Sequence, residues 1–139
     1  MTLYTTEATA TGGRTGSATT SDGRLELTLD TPKELGGNGG AGTNPEQLFA
    51  AGYAACFLGA LKYVAGQKKM KVPEESTVSV TVGVGPRDDH KGFGLELALS
   101  VTLPGIASDV AKDLVAQADI VCPYSHLART DTPVSVSVA

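Results

Sequence analysis

Two thiols are the residues of this chain best suited to chemistry. Cys56 sits in the apolar stretch Leu48-Phe-Ala-Ala-Gly-Tyr-Ala-Ala-Cys-Phe-Leu-Gly-Ala-Leu61, and Cys122 sits just before Pro123; the 139 residues hold no other cysteine. In a reducing compartment, two cysteines more often mean redox chemistry or nothing than a permanent cross-link. A cysteine inside an apolar helix is most often a small buried hydrophobe, whereas a reactive one must be a thiolate. Cys56 falls about three turns into its predicted helix, beyond the reach of the helix dipole, and burial raises a thiol pKa. Its ionisation therefore requires a cation brought from elsewhere in the fold.

Helical spacing shows what shares a face with Cys56. Steps of three and four residues put Glu46, Phe49, Tyr53, Cys56, Ala60 and Tyr63 on one stripe. An acid at one end, two aromatics and a thiol are an unusual mixture for a plain core face. Glu46 has an ordinary explanation, since a carboxylate in the first helical turn complements the dipole; its alternative is to grip an arginine through two hydrogen bonds. The candidates are Arg14, Arg24, Arg87 and Arg129, and composition does not choose among them. Arg14 stands out because it follows Gly12-Gly13 and precedes a run of small residues, although a solvated turn charge is the commoner use of an arginine there. Cys122-Pro-Tyr-Ser-His126 brings a thiol and an imidazole into one short segment. Two cysteines and two histidines give no recognisable four-ligand zinc spacing, so no metal is expected. There is no Gly-x-Ser-x-Gly elbow.

The elements that must position these residues follow from periodicity. Val78-Ser-Val-Thr-Val-Gly-Val84, Leu95-Glu-Leu-Ala-Leu-Ser-Val-Thr-Leu103, Val134-Ser-Val-Ser-Val138 and the shorter Leu25-Glu-Leu-Thr-Leu29 alternate with period two. They predict half-buried antiparallel strands. Residues 3–10 and 14–20 predict a weaker hairpin around Gly12-Gly13. A first helix is predicted from Asn44 as N-cap to about Gly66, with Pro45 at its first position and Gln47 completing a capping box. Its central turns carry almost no charge, so it is expected to be buried nearly all round. A second helix starts at Ser108 as N-cap, aligns Val110, Leu114, Ala118 and Val121, and stops at Pro123. Leu35-Gly-Gly-Asn-Gly-Gly-Ala-Gly42 has the composition of a phosphate loop without its Gly-Lys-Ser/Thr ending, and reads as a mobile loop. The order strands, long helix, strands, helix, strand predicts a single α+β domain over residues 1–139.

Composition excludes several classes of function. A net charge of −4 and a pI near 5.0 argue against a nucleic-acid binder that depends on phosphate contacts. No run of apolar residues reaches the roughly 18 needed to span a bilayer, so no membrane association is expected. Met1-Thr-Leu-Tyr-Thr5 lacks the basic and apolar regions of a secretory signal, which predicts a cytoplasmic protein. A long apolar helix also needs more cover than one chain with few strands provides, and a homodimer is expected.

Gly42-Thr-Asn-Pro-Glu-Gln-Leu-Phe-Ala-Ala-Gly-Tyr-Ala-Ala-Cys-Phe57, together with Val121-Cys-Pro-Tyr-Ser125, resembles the organic hydroperoxide resistance (Ohr) proteins of the OsmC-like superfamily. Thr11-Gly-Gly-Arg14, Leu35-Gly-Gly-Asn-Gly-Gly40 and Gly92-Phe-Gly-Leu-Glu96 match the same pattern in order, so the resemblance covers essentially the whole chain. It implies a thiol peroxidase folded as an intertwined homodimer, with antiparallel sheets around a long buried central helix and sites at the interface. By that resemblance Cys56 attacks the peroxide, Cys122 resolves the product, Arg14 favours the Cys56 thiolate and Glu46 orients Arg14. It further implies organic hydroperoxides as substrates, no bound cofactor or metal, and a dihydrolipoyl group on a lipoylated protein as reductant. Phe49, Tyr53 and Phe57, near the thiol on the helix, are expected to favour an apolar substrate over hydrogen peroxide. The alternatives are an OsmC-type general stress peroxidase and a non-catalytic redox-sensing or ligand-binding dimer. The chain departs from the family pattern after Cys122, where Ser125-His-Leu-Ala-Arg-Thr-Asp-Thr132 stands in place of a segment that usually runs on to Arg-Gly-Asn.

Overall fold

The computed structural model describes residues 1–139, which gather into two compact units, Met1–Leu48 and Phe49–Ala139. In the first, β1 (Ala8–Thr11), β2 (Gly16–Thr20) and β3 (Glu26–Leu29) form an antiparallel sheet in the order β1-β2-β3. The β1–β2 register runs from Ala8 opposite Thr20 to Thr11 opposite Ser17. The predicted hairpin turn is real: Gly12 and Gly13 have φ of 79° and 78°, left-handed values that a side chain resists. A Cβ on Gly12 would also lie 2.4 Å from the Thr15 carbonyl oxygen.

The glycine-rich stretch is more organised than its composition suggests. A short 3₁₀ turn at Lys33–Leu35 precedes it. The Gly37 and Gly39 N–H groups then donate to the carbonyls of Pro32 and Thr31, and the Gly42 N–H donates to the Asp30 carboxylate. These bonds give the predicted loop a defined path, which spacing alone does not reveal because their partners lie several residues upstream.

Helix α1 (Pro45–Gln67) starts at the end of the first unit and runs on into the second. Asn44 caps it as predicted, its Oδ1 accepting the Gln47 N–H at 2.8 Å. The reciprocal half of the box differs, because the Gln47 side chain accepts from the Thr43 hydroxyl instead.

The second unit is built on α1, β4 (Thr77–Pro86), β5 (Phe93–Thr102), α2 (Ser108–Val121) and α3 (Pro123–Arg129). β4 and β5 pair antiparallel from Thr77 opposite Thr102 to Pro86 opposite Phe93. Their alternation is as predicted, with Val78, Val80, Leu97, Leu99 and Val101 packed against the core. That core contains Tyr53, Phe57, Ala60, Leu61, Val64 and Ala65 of α1, joined by Val72, Leu103, Leu114, Ala118 and Cys122.

Several expectations change here. α1 is buried on one face only: Ala51, Ala55, Gly59 and Tyr63, four residues apart, form an exposed stripe. By length and composition α1 is long and apolar enough to cross a bilayer, which the count of uninterrupted apolar residues missed, but its buried face forms the centre of this core. In α2 the cap position is Ala107 and Ser108 is already helical. The buried stripe continues from Leu114 and Ala118 to Cys122, with Val121 exposed, because steps of four place Cys122 on that line. Pro123 ends α2 and also begins α3, having no N–H to lose at a first helical position. Finally, Val134–Val138 forms no strand; Val134, Val136 and Val138 are 78%, 90% and 99% exposed. Period-two alternation records two unlike faces, but a strand also needs a neighbour with free backbone groups.

Candidate active site

In the first unit, Arg14 and Glu46 form a two-pronged ion pair across 32 residues of sequence. Arg14 Nη1 donates to Glu46 Oε2 at 2.8 Å and Nη2 donates to Oε1 at 2.5 Å. The turn at Gly12-Gly13 presents Arg14, and the Asn44 cap starts the helix that presents Glu46. The hydrogen bonds from Arg14 hold the Glu46 carboxyl below its ordinary value of 4.5, with partial burial opposing. Glu46 in turn raises the pKa of Arg14. The pair is half open: the Arg14 side chain is 40% exposed and that of Glu46 14%.

The other three arginines have partners of their own. Arg24 is highly exposed, 3.8 Å from Asp22. Arg87 braces the β4–β5 hairpin loop, bonding to Asp89 and to the carbonyls of Lys91 and Phe93. Arg129 lies 2.8 Å from Asp119. Composition left the partner of Glu46 open among four residues, and the fold selects Arg14.

In the second unit the two cysteines, 66 residues apart, meet with their sulfurs 3.6 Å apart. Both are free thiols. A disulfide needs about 2.05 Å, so the pair is within a small side-chain movement of bonding. Cys122 is the sealed partner, at 0% exposure, while Cys56 is only partly buried. The sequence had suggested Cys56 as the buried one. Cys122 caps α3: its N–H donates to Ala118 and its carbonyl accepts from His126. Burial, the largest influence, pushes the Cys56 thiol above its ordinary value of 9.0; the Tyr124 backbone amide pulls it down, and Cys122 raises it again. The net push within this unit is away from the thiolate.

Three aromatic rings pack together in this unit. Phe49 meets Tyr53 edge-on at 5.8 Å, and Tyr124 lies 5.6 Å from Phe49 and 5.7 Å from Tyr53. Tyr53 is 3% exposed, and its hydroxyl is 2.7 Å from that of Ser125. Phe57 is 2% exposed and packs in the core. Phe49 and Tyr124 are the partly open members of the set.

Sequence reasoning overlooked Tyr124, Ser125 and Gly52. Tyr124 and Ser125 were present only as letters in the Cys-Pro-Tyr-Ser run. Gly52 did carry a signal, since a glycine inside a helix costs about 1 kcal/mol and often marks a close approach. A Cβ there would lie 2.7 Å from the Tyr124 hydroxyl oxygen. No three His, Cys, Asp or Glu side chains converge to hold a metal.

Comparison with known proteins places the chain in a family. The family model for OsmC-like protein matches residues 36–137. The organic hydroperoxide resistance protein of Xanthomonas axonopodis pv. citri is 51% identical over 137 residues, covering 99% of this chain and 95% of that one. The crystal structure of an organic hydroperoxide resistance protein OsmC from Legionella pneumophila superposes with a TM-score of 0.87 at 47% identity, covering 93% of this chain and 92% of the other. That of OhrB from Bacillus subtilis gives a TM-score of 0.82 at 38% identity, covering 92% and 93%. The α+β architecture, with antiparallel sheets and one long helix, is that of these structures, and the chain belongs to the OsmC-like family, in its organic hydroperoxide resistance branch.

Proposed function

We propose that the protein is a thiol peroxidase that reduces organic hydroperoxides to alcohols. The observation that carries this reading is the 3.6 Å approach of Cys56 and Cys122. The relatives named for organic hydroperoxide resistance support a role in peroxide resistance. In the first step the Cys56 thiolate attacks the terminal oxygen of ROOH. The S–O bond forms, the O–O bond breaks, and the alkoxide leaves as ROH after taking a proton; Cys56 becomes a sulfenic acid. The Cys122 thiolate then attacks Cys56 Sγ, the S–S bond forms and the oxygen leaves as water. A dithiol restores both thiols by two exchanges and is itself oxidised to a disulfide. We assign the dithiol to a dihydrolipoyl group on a lipoylated protein, on the family resemblance.

Burial and Cys122 both disfavour the Cys56 thiolate, so attack at neutral pH calls for a cation. We assign that role to Arg14, with Glu46 orienting it. The two-pronged grip supports this, since it fixes the guanidinium plane with two of its five donors and leaves the rest free. Phe49, backed by the buried rings of Tyr53 and Phe57, is proposed to favour an apolar R group.

We further propose a cytoplasmic homodimer in which residues 1–139 act as one domain. The exposed α1 stripe, the unpaired valines of Val134–Val138 and an open groove of about 420 Å³ lined by Leu99, Val101, Leu103, Ala111 and Val115 are apolar surface that a second copy would cover. The test of the chemistry is turnover of cumene hydroperoxide with dihydrolipoamide. Wild type should form one Cys56–Cys122 disulfide per chain, and Cys56→Ser should lose all turnover. Cys122→Ser should consume one equivalent and then over-oxidise at Cys56. Near-normal activity in Cys56→Ser would sink the reading and favour the non-catalytic dimer.

A further inference from the structure

We infer that the buried Tyr53–Ser125 hydrogen bond is a positioning device for the resolving step, a role that rests on the peroxidase reading above. Tyr53 Oη and Ser125 Oγ lie 2.7 Å apart, and the residues are 3% and 0% exposed. Tyr53 precedes Cys56 by three residues on α1, and Ser125 follows Cys122 by three residues into α3. Residues three apart in a helix are neighbours on one face. The hydroxyl pair and the sulfur pair are therefore two adjacent rungs between the same two segments.

The rung matters because of where Cys122 sits. It lies between two helices, with φ −64° and ψ 121°, outside both. Its N–H bonds to the Ala118 carbonyl and its own carbonyl accepts from the His126 N–H, so the directions of the two helices set where its thiol points. Its only fixed neighbours in sequence are α2 behind it and α3 ahead. Ser125 anchors α3 to α1, and with it the direction in which the Cys122 thiol points. Tyr53 was expected to face substrate; its hydroxyl is instead committed to Ser125. Neither hydroxyl is left without a partner, whereas removing one would strand the other in a dry site at the full cost of desolvation.

The step this device serves competes with a second oxidation. Once Cys56 is a sulfenic acid, attack by Cys122 forms the S–S bond and releases the oxygen as water. If that attack is slow, a second ROOH oxidises the sulfenic to a sulfinic acid and is itself reduced to ROH. Loss of one neutral hydrogen bond should shift this partition toward sulfinic acid by about fivefold, with the first attack unchanged.

Three variants test the inference: Tyr53→Phe, Ser125→Ala and the double variant. Each is exposed to a range of cumene hydroperoxide concentrations, and disulfide and sulfinic forms are counted by intact-protein mass spectrometry. Stopped-flow measures the first attack separately. Ser125→Ala should keep the rate of first attack, and both single variants should over-oxidise at about one-fifth the peroxide concentration of wild type. The double variant separates positioning from stability. With both partners apolar, its unfolding midpoint should recover toward wild type, while its over-oxidation should not. Recovery of both would overturn the positioning role, as would a wild-type partition in all three. Absence of a Cys56–Cys122 disulfide in wild type would overturn the peroxidase reading and this inference with it.

Discussion

Gly52→Ala puts the packing around Tyr124 and Cys122 to a direct test. Inside a helix, glycine is less favourable than alanine by about 1 kcal/mol, so at an open position the change should stabilise. Gly66, on the same helix, is such a position, with nothing within 4 Å of where an added methyl would sit. At Gly52 the added Cβ would lie 2.7 Å from Tyr124 Oη, 3.2 Å from Cζ and 3.3 Å from Cε2. Real Cβ contacts are essentially never under 3.0 Å, so the ring must move. It is not free to do so alone, being packed against Phe49 and Tyr53 at 5.6 and 5.7 Å. Overpacking of this kind costs about 1–3 kcal/mol. Set against the gain in helix propensity, Gly52→Ala should be destabilising by up to about 2 kcal/mol, while Gly66→Ala should stabilise by about 0.5–1 kcal/mol. Urea unfolding at unchanged m reads both values. Because Tyr124 is two residues from Cys122, the Gly52 variant should also form its disulfide more slowly. If Gly52→Ala proves as stable as Gly66→Ala, Tyr124 does not rest on α1 and the packing behind Cys122 is not as described.

Three further outcomes are expected. Arg14→Ala should raise the Cys56 pKa and slow peroxide attack at least about tenfold, the equivalent of one pKa unit; Glu46→Ala should slow it less, and the double variant should be little worse than Arg14→Ala. The pH profile of Cys56 alkylation in all four proteins decides this, and an unchanged pKa in Arg14→Ala would require another cation. For the ion pair itself, the Glu46 carboxyl is held below 4.5 in the folded state. Its contribution to stability is thus complete above pH 4.5 and is lost as pH falls through the lowered value. The stability difference between wild type and Glu46→Gln should be flat near neutrality and shrink in acid; a difference constant down to about pH 3 would contradict it. Light scattering at micromolar concentration should return a dimer, with an interface above about 2,000 Å², and a monomer would refute the assignment of the exposed α1 stripe.

What could be read from sequence was decided within a few residues. The Asn44 cap reaches only to the Gln47 amide, the Gly12-Gly13 turn is set by its own φ values, and the β4 and β5 alternation follows from backbone geometry. Likeness to a known family then supplied roles for Cys56, Cys122, Arg14 and Glu46 that no local pattern contained. Tertiary structure gives the distances at which Arg14 meets Glu46 and at which two thiols 66 residues apart meet, and it alone decided that the Tyr53 hydroxyl turns to Ser125 and which face of α1 is left open. The reason is physical. Local patterns reflect steric preferences of neighbouring residues, and those operate in any fold. A contact between distant residues exists only after loops close and a core packs, and many partners of the same type satisfy the same letters. Val134–Val138 shows the limit most plainly: its alternation is a property of the segment, but a strand is a property of the segment and its neighbour together.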